Sequence, residues 1–468
     1  MNKQRLKYIA CDFLMAVLVW ICFFTFRRLF NDFRLSAGDH IPFFIPSYNL
    51  WLSAIFYPFL ALFIHYLSGF YNQNHSYSRL VEFLSTAIAA LFITLITYFV
   101  ILIDDVVVSY TFYYKSFLVL LALQFTFTYI GRFAITQQFY NRIKKGLQKN
   151  NTLIIGTGIS AQKTTVDFNK KIRHYGNTIV GYVTVGHTPS ICTGTILGDI
   201  SKIDSIIAQH QIQNIIIALD NIQDNELFNL INKLIKYNIS IQFPPSQFEI
   251  LTGKIRIKDI DASPFVTLSE VSMPVWQQSV KRVFDIFISA LALLLFLPFL
   301  AYIAPRIKRE SKGGIFYKQE RIGKYGRPFK IIKLRTMYEN AEKSIPLLSS
   351  QNDKRITPFG HFLRKYRIDE VPQFWNILKG EMSIVGPRPE RQYFIQQIME
   401  SAPYYCLLYK IQPGLLSWGP IKVGYSDSIE KMIERLNYDI IYMDNMTLLT
   451  DLKIILYSFE VIFKGEGI

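Results

Sequence analysis

Four apolar runs in the first third of the chain constrain its fold more than any other feature. Each is close to the ~20 residues that an α-helix needs to cross the hydrocarbon core of a bilayer. The runs are residues 8–30, 49–71, 82–103 and about 110–131. Asp12 and the terminal arginines are the only charges of the first run. Four separate runs of this length disfavour a buried bundle in a soluble protein and predict a four-helix transmembrane region over residues 1–145.

Basic residues on both flanks of this region indicate that its two ends face the cytoplasm. An even number of crossings also returns the chain to the side on which it began. The flanking residues are Lys3, Arg5 and Lys7 at the start and Arg132, Arg142, Lys144 and Lys145 at the exit. Arg27, Arg28 and Arg34 would lie outside, against this tendency, and we interpret them as side chains that snorkel to the interface.

The composition indicates an anionic partner for a membrane protein. Half of the residues are hydrophobic, and the formal net charge is +16. This charge indicates phospholipid head groups or nucleotides. Nucleic acid is disfavoured because no zinc-finger spacing or RNP-type motif accompanies the charge. The four cysteines lack ligand-like spacing, so we predict neither a metal cluster nor a disulfide framework. The first apolar run is too long for a cleavable signal.

Residues 146–255 change to short β-rich runs that alternate with polar helical stretches, which predicts an α/β Rossmann-like middle domain. Its opening, Gly156 to Ala161 (GTGISA), is similar to a dinucleotide fingerprint with alanine in the third glycine position. The second strand ends in VTVGHT, without the acidic residue that would bind a ribose. The favoured prediction is therefore a packing or regulatory domain without a bound dinucleotide, followed by a linker over 256–279.

A fifth apolar run at residues 283–304 carries Pro298 in its interior and basic residues at both ends. Proline favours a bend, and basic residues at both ends favour keeping both ends on the cytoplasmic side. We therefore predict a re-entrant helix–break–helix that dips into one leaflet and bends at Leu297 and Pro298. A fifth spanning helix is the alternative.

Residues 312–392 are dense in arginine and lysine. A β-like stretch with glycine turns is followed by a helical stretch and by an arginine between two prolines. The basic residues singled out in this region are Lys318, Arg321, Lys333, Arg335, Arg364, Arg367 and Arg388. Prolines on both sides of Arg388 restrict the backbone, and a guanidinium fixed in this way suits bidentate contact with phosphate.

Within this basic region, KYRIDEVPQFW places two carboxylates side by side, Asp369 and Glu370. One interpretation is that Asp369 caps a helix over 370–379, with Glu370 and Pro372 in its first turn. The other is that the pair holds Mg²⁺ with a pyrophosphate and that one carboxylate attacks phosphorus. The two interpretations are compatible, because a helix N-terminus also favours phosphate, and the residues alone leave catalysis open.

From about Val280 to the C-terminus the chain closely resembles the bacterial sugar transferases, the monotopic polyprenyl-phosphate phosphoglycosyl transferases that start surface-polysaccharide synthesis. The matching pieces keep their order over roughly 190 residues: KRVFD, FYKQERIGKYGRPFKIIKLRTM, DKRITPFGHFLRKYRIDEVPQFWNILKGEMSIVGPRPER, IQPGLLSW and LNYDIIYMDNMTLLTDLKII. The whole chain is similar to the long form, the undecaprenyl-phosphate glucose or galactose phosphotransferases. The resemblance implies an α+β monotopic catalytic domain over 280–468 with a re-entrant membrane helix.

The resemblance also implies roles for individual residues. Asp369 matches the nucleophile that attacks the β-phosphate of a UDP-sugar. Glu370 matches the neighbouring acid, which helps to hold Mg²⁺ or tunes the aspartate. UMP would leave, and polyprenyl (undecaprenyl) phosphate would take the phosphosugar. Arg364 and Arg388 match the family's phosphate-binding arginines, and Lys333, Arg335 and Arg321 are further candidate phosphate contacts. No organic cofactor is expected, whereas membrane lipids are expected partners and a homo-oligomer is possible.

Several positions depart from the family pattern. Leu297-Pro298 replaces a common Ser-Pro, Val371 a common leucine and Leu334 a common phenylalanine. GLLSWGP at 414–420 replaces a GITGWAQ-like run and lacks its threonine and one glycine. If this loop helps to choose the sugar, the resemblance does not identify the sugar.

Three alternatives belong to other classes. A non-catalytic membrane scaffold for polysaccharide assembly would use the acid pair only as a helix cap. An oxidoreductase or epimerase acting on nucleotide sugars is disfavoured by the missing ribose acid and by the lack of a downstream Tyr-x-x-x-Lys dyad. A glycosyltransferase of the Asp-x-Asp type is disfavoured because the basic region contains no such triplet.

Overall fold

The computed structural model describes most of the chain, which divides into two compact units. The described residues are 3–35, 48–72, 79–104, 110–146, 149–171, 177–186, 191–192, 194–220, 222–244, 265–268, 271–339, 341, 353–424 and 428–464. One unit comprises Met1–Gln148 with Val275–Val280, and the other comprises Lys149–Pro274 with Lys281–Ile468.

Four long helices form the first unit, as the apolar runs predict. They are α1 (Lys3–Leu35), α2 (Tyr48–Leu67), α3 (Arg79–Asp104) and α4 (Tyr110–Lys144). Described segments of α1, α3 and α4 are long and apolar enough to cross a membrane, whereas the described apolar segment of α2, Ser53–Leu67, is shorter. Gly69, with a φ of +80°, lies just beyond the end of α2 in the left-handed conformation that glycine adopts most readily.

Asp12, the charge inside the first apolar run, is paired within this helical unit. Its carboxylate lies 2.6 Å from Nη2 of the buried Arg132 on α4 and accepts a hydrogen bond from the Tyr71 hydroxyl at 2.7 Å. Arg132 also donates to Thr86 of α3 at 3.0 Å. A buried charge is tolerated where it is paired and hydrogen-bonded. Arg132 therefore serves the interior of the unit and does not act as a flanking charge.

The second unit begins with a six-stranded sheet. Its elements in chain order are β1 (Asn150–Ile155), α5 (Ile159–Lys171), β2 (Asn177–Thr184), β3 (Ile196–Asp199), α6 (Ile203–His210), β4 (Asn214–Ile217), α7 (Asp224–Ile235), β5 (Ser240–Phe243) and β6 (Val266–Thr267). The strand order is β3-β2-β1-β4-β5-β6. The first five strands are parallel, and β6 pairs antiparallel with β5. This is the predicted Rossmann-like arrangement.

The rest of the second unit is a mixed helical and β region, and its first helix, α8, has its first six residues, Val275–Val280, in the first unit. Its elements are α8 (Val275–Glu310), β7 (Phe316–Ile322), β8 (Pro328–Leu334), α9 (Pro358–Lys365), a 3₁₀ helix (Ile368–Gln373), α10 (Phe374–Lys379), β9 (Ser383–Val385), α11 (Gln392–Ser401), a 3₁₀ helix (Pro403–Lys410), β10 (Gly414–Leu416), α12 (Trp418–Val423), α13 (Ile429–Asp444) and α14 (Leu448–Lys464). β7 and β8 form an antiparallel hairpin, and β9 pairs parallel with β10. The hairpin is the predicted β-like stretch.

Two separate parts of α8 are attached to this mixed region. Near its start, Arg282 donates to the Ile377 carbonyl at 2.7 Å, and Asp285 accepts from the Ser383 hydroxyl at 2.8 Å. Near its end, Ile303 and Ile307 pack against Leu334 and Leu363. Asp285 and Ile303 are about 27 Å apart along a regular helix. The apolar side chains between these two attachments are largely exposed, among them Leu294, Leu295, Leu297 and Phe299.

The predicted break at Pro298 is absent, because α8 runs without interruption from Val275 to Glu310 and contains both Pro298 and Pro305. A proline removes one backbone donor and can bend a helix, but residues on both sides keep the helical conformation here. The predicted entry of this segment into one leaflet stays a prediction, as does a bend at Leu297 and Pro298.

One hydrophobic cluster joins the Rossmann-like sheet region to the mixed region. Ile231 and Ile235 of α7 pack with Tyr405, Cys406 and other side chains of the Pro403–Lys410 helix. The predicted linker 256–279 is partly structured, since β6 extends the sheet and α8 begins at Val275, whereas residues 256–264 and 269–270 lie outside the described residues. The domain boundaries themselves stay predictions.

Candidate active site

The acid pair lies on the 3₁₀ helix Ile368–Gln373, which is continued by α10. Arg367 precedes this helix with a φ of +54°, and no side-chain hydrogen bond caps the helix. The prediction that Asp369 caps a helix over 370–379 is therefore wrong. The left-handed Arg367 turns the chain two residues earlier than expected, so that both carboxylates lie inside the turn.

Asn376, a buried residue of α10, fixes this segment to strand β8. Its side-chain oxygen accepts from the Ile332 amide at 3.1 Å, and its side-chain nitrogen donates to the Lys330 carbonyl at 2.8 Å. The amide group thus pairs with β8 as a neighbouring strand would. Lys333 on the same strand is thereby held next to the acid pair.

Glu370 is surrounded by three cationic side chains. Its Oε1 accepts hydrogen bonds from Lys333 Nζ at 2.9 Å and from Arg388 Nη2 at 2.8 Å. Arg367 Nη1 lies 3.4 Å from the other oxygen, Oε2. Burial acts to raise the pKa of Glu370, but the charges of Arg388, Lys333 and Arg367 outweigh it and hold this pKa well below its usual range. Glu370 is consequently an anion at neutral pH.

Asp369 is as buried as Glu370, with 7% of its surface exposed, but its surroundings differ. Burial raises the pKa of Asp369 to about 6, against the opposing charge of Lys333. Within the described part of the chain, no hydrogen bond to its carboxylate is recorded. One carboxylate of the pair is therefore held by cations, while the lone pairs of the other are available to a ligand.

Three of the predicted phosphate contacts lie near the acid pair. Lys333 and Arg388 touch Glu370, and the positive charge of Arg364 acts on Asp369. Arg364 is also fixed through its Nε, which donates to the Thr336 hydroxyl at 2.9 Å. A basic wall thus faces the acids, as the sequence predicts for a site that binds phosphate.

The other two predicted contacts are occupied elsewhere. Arg335 donates to the Gly314 carbonyl at 2.8 Å and packs on the turn that precedes β7. Arg321 donates to the Pro389 carbonyl at 3.2 Å and lies 3.1 Å from the Glu390 carboxylate. Arg321 therefore supports the proline-flanked segment that carries Arg388, and it has no recorded contact with the acid pair in the described structure.

Sequence reasoning missed several residues that build this site. Arg367 was noted only as one of many basic residues, while Thr336, Asn376 and Glu390 were not singled out. The sequence PRPER gave one usable signal, because Glu390 lies two residues from Arg388 and could have been expected to neutralise a neighbouring arginine. Asn376 gave none, because its partners are distant in sequence.

The two carboxylates of the acid pair differ in how well they suit Mg²⁺. Mg²⁺ is usually bound by one or two carboxylates together with substrate phosphates and water. Asp369 fits this pattern, because its carboxylate has no recorded hydrogen bond within the described residues. Glu370 fits less well, because Oε1 already accepts from Lys333 and Arg388. No group of three or more acidic, histidine or cysteine side chains suited to a metal was found among the described residues.

In the Rossmann-like region, a protein carboxylate occupies the start of α5, where a dinucleotide fingerprint would place phosphate. Asp220 Oδ1 accepts a hydrogen bond from the Ser160 amide at 3.0 Å. A Cβ at Gly158 would lie 2.0 Å from Asp220 Oδ2, so this glycine permits the close approach. Asp220 supplies an internal anion at a helix end that otherwise favours phosphate.

The fold and the site together define a class of domain suited to phosphate chemistry, with an exposed apolar helix beside a buried acid pair and a basic wall. Comparison with known protein families agrees with this class. Residues 276–465 match the model described as bacterial sugar transferase, and residues 66–245 match a model described as CoA-binding domain.

Individual relatives point to the same family. The chain is 45% identical over 125 residues to the putative undecaprenyl-phosphate N-acetylgalactosaminyl 1-phosphate transferase of Bacillus subtilis, covering 27% of this chain and 70% of the relative. It is 35% identical over 202 residues to the exopolysaccharide production protein ExoY of Sinorhizobium fredii, covering 40% and 87%. The chain belongs to the bacterial sugar transferase family.

A longer match is to the UDP-glucose:undecaprenyl-phosphate glucose-1-phosphate transferase of Klebsiella pneumoniae, at 35% identity over 272 residues. This match covers 57% of each protein, so the chain spans little more than half the length of that relative.

Proposed function

We propose that this chain transfers a sugar 1-phosphate from a UDP-sugar to polyprenyl phosphate, releasing UMP and giving a polyprenyl-diphosphate sugar. The observation that carries the proposal is the contrast within the acid pair. Glu370 is held by three cations, whereas Asp369 is buried beside the same basic wall without a recorded hydrogen bond to its carboxylate in the described structure. Membership of the bacterial sugar transferase family, two of whose relatives above are named as undecaprenyl-phosphate sugar 1-phosphate transferases, supports the same reaction.

In the first step, an oxygen of the Asp369 carboxylate attacks the β-phosphorus of the UDP-sugar. The bond between this phosphorus and the oxygen that bridges the two phosphates breaks, and UMP leaves with the electron pair. The sugar phosphate is then bound to Asp369 as an acyl phosphate. The positive charges of Lys333, Arg364 and Arg388 balance the charge that accumulates on the phosphate oxygens.

In the second step, an oxygen of polyprenyl phosphate attacks the phosphorus of the acyl phosphate. The bond from phosphorus to Asp369 breaks, and the carboxylate is regenerated. Glu370 keeps Lys333 and Arg388 in position throughout, since it accepts hydrogen bonds from both. The reaction thus needs no external base for the nucleophile, because a carboxylate above its pKa is already deprotonated.

Asp369, together with substrate phosphates, would hold Mg²⁺. A bound Mg²⁺ supplies further neutralisation of phosphate charge. We assign Glu370 an electrostatic role in this scheme, and its direct ligation of metal is the less favoured arrangement because its Oε1 is already shared by two cations.

The proposed location is the cytoplasmic face of the bacterial inner membrane, where the reaction would start exopolysaccharide, capsule or O-antigen synthesis. The two attachments of α8 to the mixed region, with an exposed apolar stretch between them, support a re-entrant α8. Both attachments are to one region, so a helix that crossed the bilayer would place parts of that region on opposite sides of the membrane. A topology reporter fused after Gly313 should therefore give a cytoplasmic signal, and an external signal would contradict the re-entrant model.

The reaction is tested with membrane fractions, a panel of radiolabelled UDP-sugars and undecaprenyl phosphate. The wild-type protein should release UMP and form a labelled lipid with at least one UDP-sugar. Asp369→Asn should abolish both, whereas Glu320→Gln, a change of an exposed acid on β7, should leave both unchanged. Lipid product that persists undiminished in Asp369→Asn would rule out this nucleophile.

A further inference from the structure

Two loops leave the carboxyl ends of neighbouring parallel strands, and one of them carries Arg388, which contacts Glu370 of the acid pair. Strand β9 leads into the segment that carries Arg388, and β10, which begins the GLLSWGP segment, leads through Ser417 into α12. The backbones touch where the loops begin, because Gly386 donates to the Leu416 carbonyl and Gly414 donates to the Pro387 carbonyl, each at 2.9 Å. A Cβ on Gly414 would lie 2.1 Å from the Gly386 nitrogen, so glycine is required there.

Beyond this contact, both loops turn to the same side chain, the buried carboxylate of Asp439 on α13. Asp439 Oδ1 accepts from the Ser417 hydroxyl at 2.6 Å and from the Gly419 amide at 3.1 Å. Arg388 lies beside this carboxylate, because Arg388 and Asp439 line the same small cavity, and the Arg388 backbone acts to lower the pKa of Asp439. Asp439 therefore binds one loop and adjoins the other, at a point remote in sequence from either.

Two arginines, one of them close to Asp439, share one carboxylate, that of Glu390. Arg435 lies one turn earlier on α13, 3.9 Å from Glu390, and Glu390 is also paired with Arg321. Burial raises the pKa of Asp439 to about 6, while its hydrogen bonds and Arg435 act in the opposite direction. Asp439 is ionised at neutral pH and can accept from all of its donors.

We propose that Asp439 is a positioning residue that fixes the backbone of Arg388 against the 417–419 turn and so holds the Arg388 guanidinium at Glu370 and at the substrate phosphate. The part of this proposal that concerns substrate rests on the proposed function. A rigid hold on Arg388 matters because small displacements of a phosphate-binding group cost much of its effect on rate.

Ser417 gives this arrangement a feature particular to this chain. It stands at the glycine position of the family's GITGWAQ-like run, and a glycine has no hydroxyl to donate. Its 2.6 Å hydrogen bond to Asp439 is therefore an additional tie between the GLLSWGP segment and the carboxylate that holds Arg388. We expect Ser417→Gly to loosen the tie without removing it, since the Gly419 amide still donates to Asp439.

The test compares variants of the full-length protein in lipid nanodiscs, with UMP release as the rate and thermal unfolding as the stability. Asp439→Asn keeps the size of the side chain but offers one acceptor oxygen in place of two. The matched control is Asp451→Asn, because Asp451 is equally buried and accepts from Tyr442 and Lys281, with no hydrogen bond recorded to either loop in the described structure. Arg388→Ala and the double variant Asp439→Asn with Arg388→Ala complete a double-mutant cycle, which measures whether the two residues act together.

We expect Asp439→Asn to lower kcat/KM by about 10- to 100-fold and Ser417→Gly by about threefold. Asp451→Asn should lower the unfolding midpoint with little change in kcat/KM. In the Arg388→Ala background, Asp439→Asn should add less than about a twofold loss, because its effect acts through Arg388. Equal kcat/KM for the two aspartate variants, or losses that multiply fully in the double variant, would overturn the proposal.

A wild-type protein that releases no UMP would count against the proposed function and not against the positioning role. The same cycle is then measured as equilibrium binding of UDP by calorimetry. Non-additive losses of UDP affinity for Asp439→Asn and Arg388→Ala support the role. Additive losses, or no UDP binding by the wild type, overturn it.

Discussion

Arg388 donates a hydrogen bond to Glu370 at 2.8 Å across 18 residues of sequence. The same carboxylate oxygen accepts from Lys333 of strand β8, so one acidic side chain joins the proline-flanked segment to the β7–β8 hairpin. Glu370 also raises the pKa of Arg388 above its ordinary value. These contacts give Glu370 an electrostatic and structural task and leave Asp369 as the member of the pair that can react.

Replacing Glu370 should therefore reduce both stability and activity. Glu370→Gln leaves the half-buried Lys333 and Arg388 without their counter-ion, and breaking an ion pair whose acidic member is buried costs on the order of 3 kcal/mol. Thermal unfolding in detergent should show a lower midpoint, and UMP release should fall sharply. Glu320→Gln serves as the control, because Glu320 is exposed on β7. An unchanged midpoint in Glu370→Gln would show that the three cations do not depend on this carboxylate.

The first step should be sensitive to pH on the acid side. Burial raises the pKa of Asp369 to about 6, and only the deprotonated carboxylate is a nucleophile. UMP release should thus be constant above pH 7 and fall about tenfold per pH unit well below pH 6. Single-turnover UMP release between about pH 5 and pH 8 measures this profile. A rate independent of pH over that range would contradict the assigned protonation of Asp369.

The Rossmann-like region should not bind a dinucleotide or coenzyme A through the start of α5. Asp220 already accepts from the Ser160 amide there, and its negative charge repels a phosphate. Neither NAD nor coenzyme A at about 1 mM should raise the unfolding midpoint of the wild-type protein. Asp220→Gly is the matched variant, and binding gained only in that variant would identify Asp220 as the obstacle. A clear rise with the wild type would refute the prediction.

The Rossmann-like and mixed regions should unfold together, because α7 and the Pro403–Lys410 helix share one hydrophobic cluster. Ile231→Ala, at a buried α7 position in this cluster, should cost about 2–5 kcal/mol. The matched control is Val166→Ala on α5, because Val166 is exposed. Calorimetry should show one transition for the two regions that moves as a whole in Ile231→Ala. Two separate transitions, of which only one moves, would contradict a shared core.

Features set by residues that are close together in the sequence could be predicted, whereas features set by contacts between distant residues could not. The length and hydropathy of the apolar runs predict α1–α4, and short β-branched runs predict β1, β2, β4 and β5. Strand β3 (Ile196–Asp199) was not predicted, because its four residues contain two polar or small ones and lack a clear β pattern. The prediction of a helix cap at Asp369 is wrong because the left-handed backbone of Arg367 sets the local turn.

For the candidate active site, the density of basic residues in the sequence indicated which region is involved. It did not indicate which side chains contact one another there. Arg321 and Arg335 are as basic as Arg388, yet they donate to backbone carbonyls because of where strands β7 and β8 direct them. Asn376 and Asp439 looked like ordinary polar residues of helices. Their partners lie 44 and 22 residues away, so that only the folded arrangement shows what they hold.

Detection of the covalent phosphosugar on Asp369 tests the central claim most directly. The full-length protein is incubated with its UDP-sugar without polyprenyl phosphate, quenched in acid, digested and analysed by mass spectrometry. A sugar-phosphate adduct on the peptide that contains Asp369 is predicted, together with UMP release close to one per protein, and both should be absent in Asp369→Asn. Lipid product formed by the wild type without any such adduct, or by Asp369→Asn at the wild-type rate, would contradict the account.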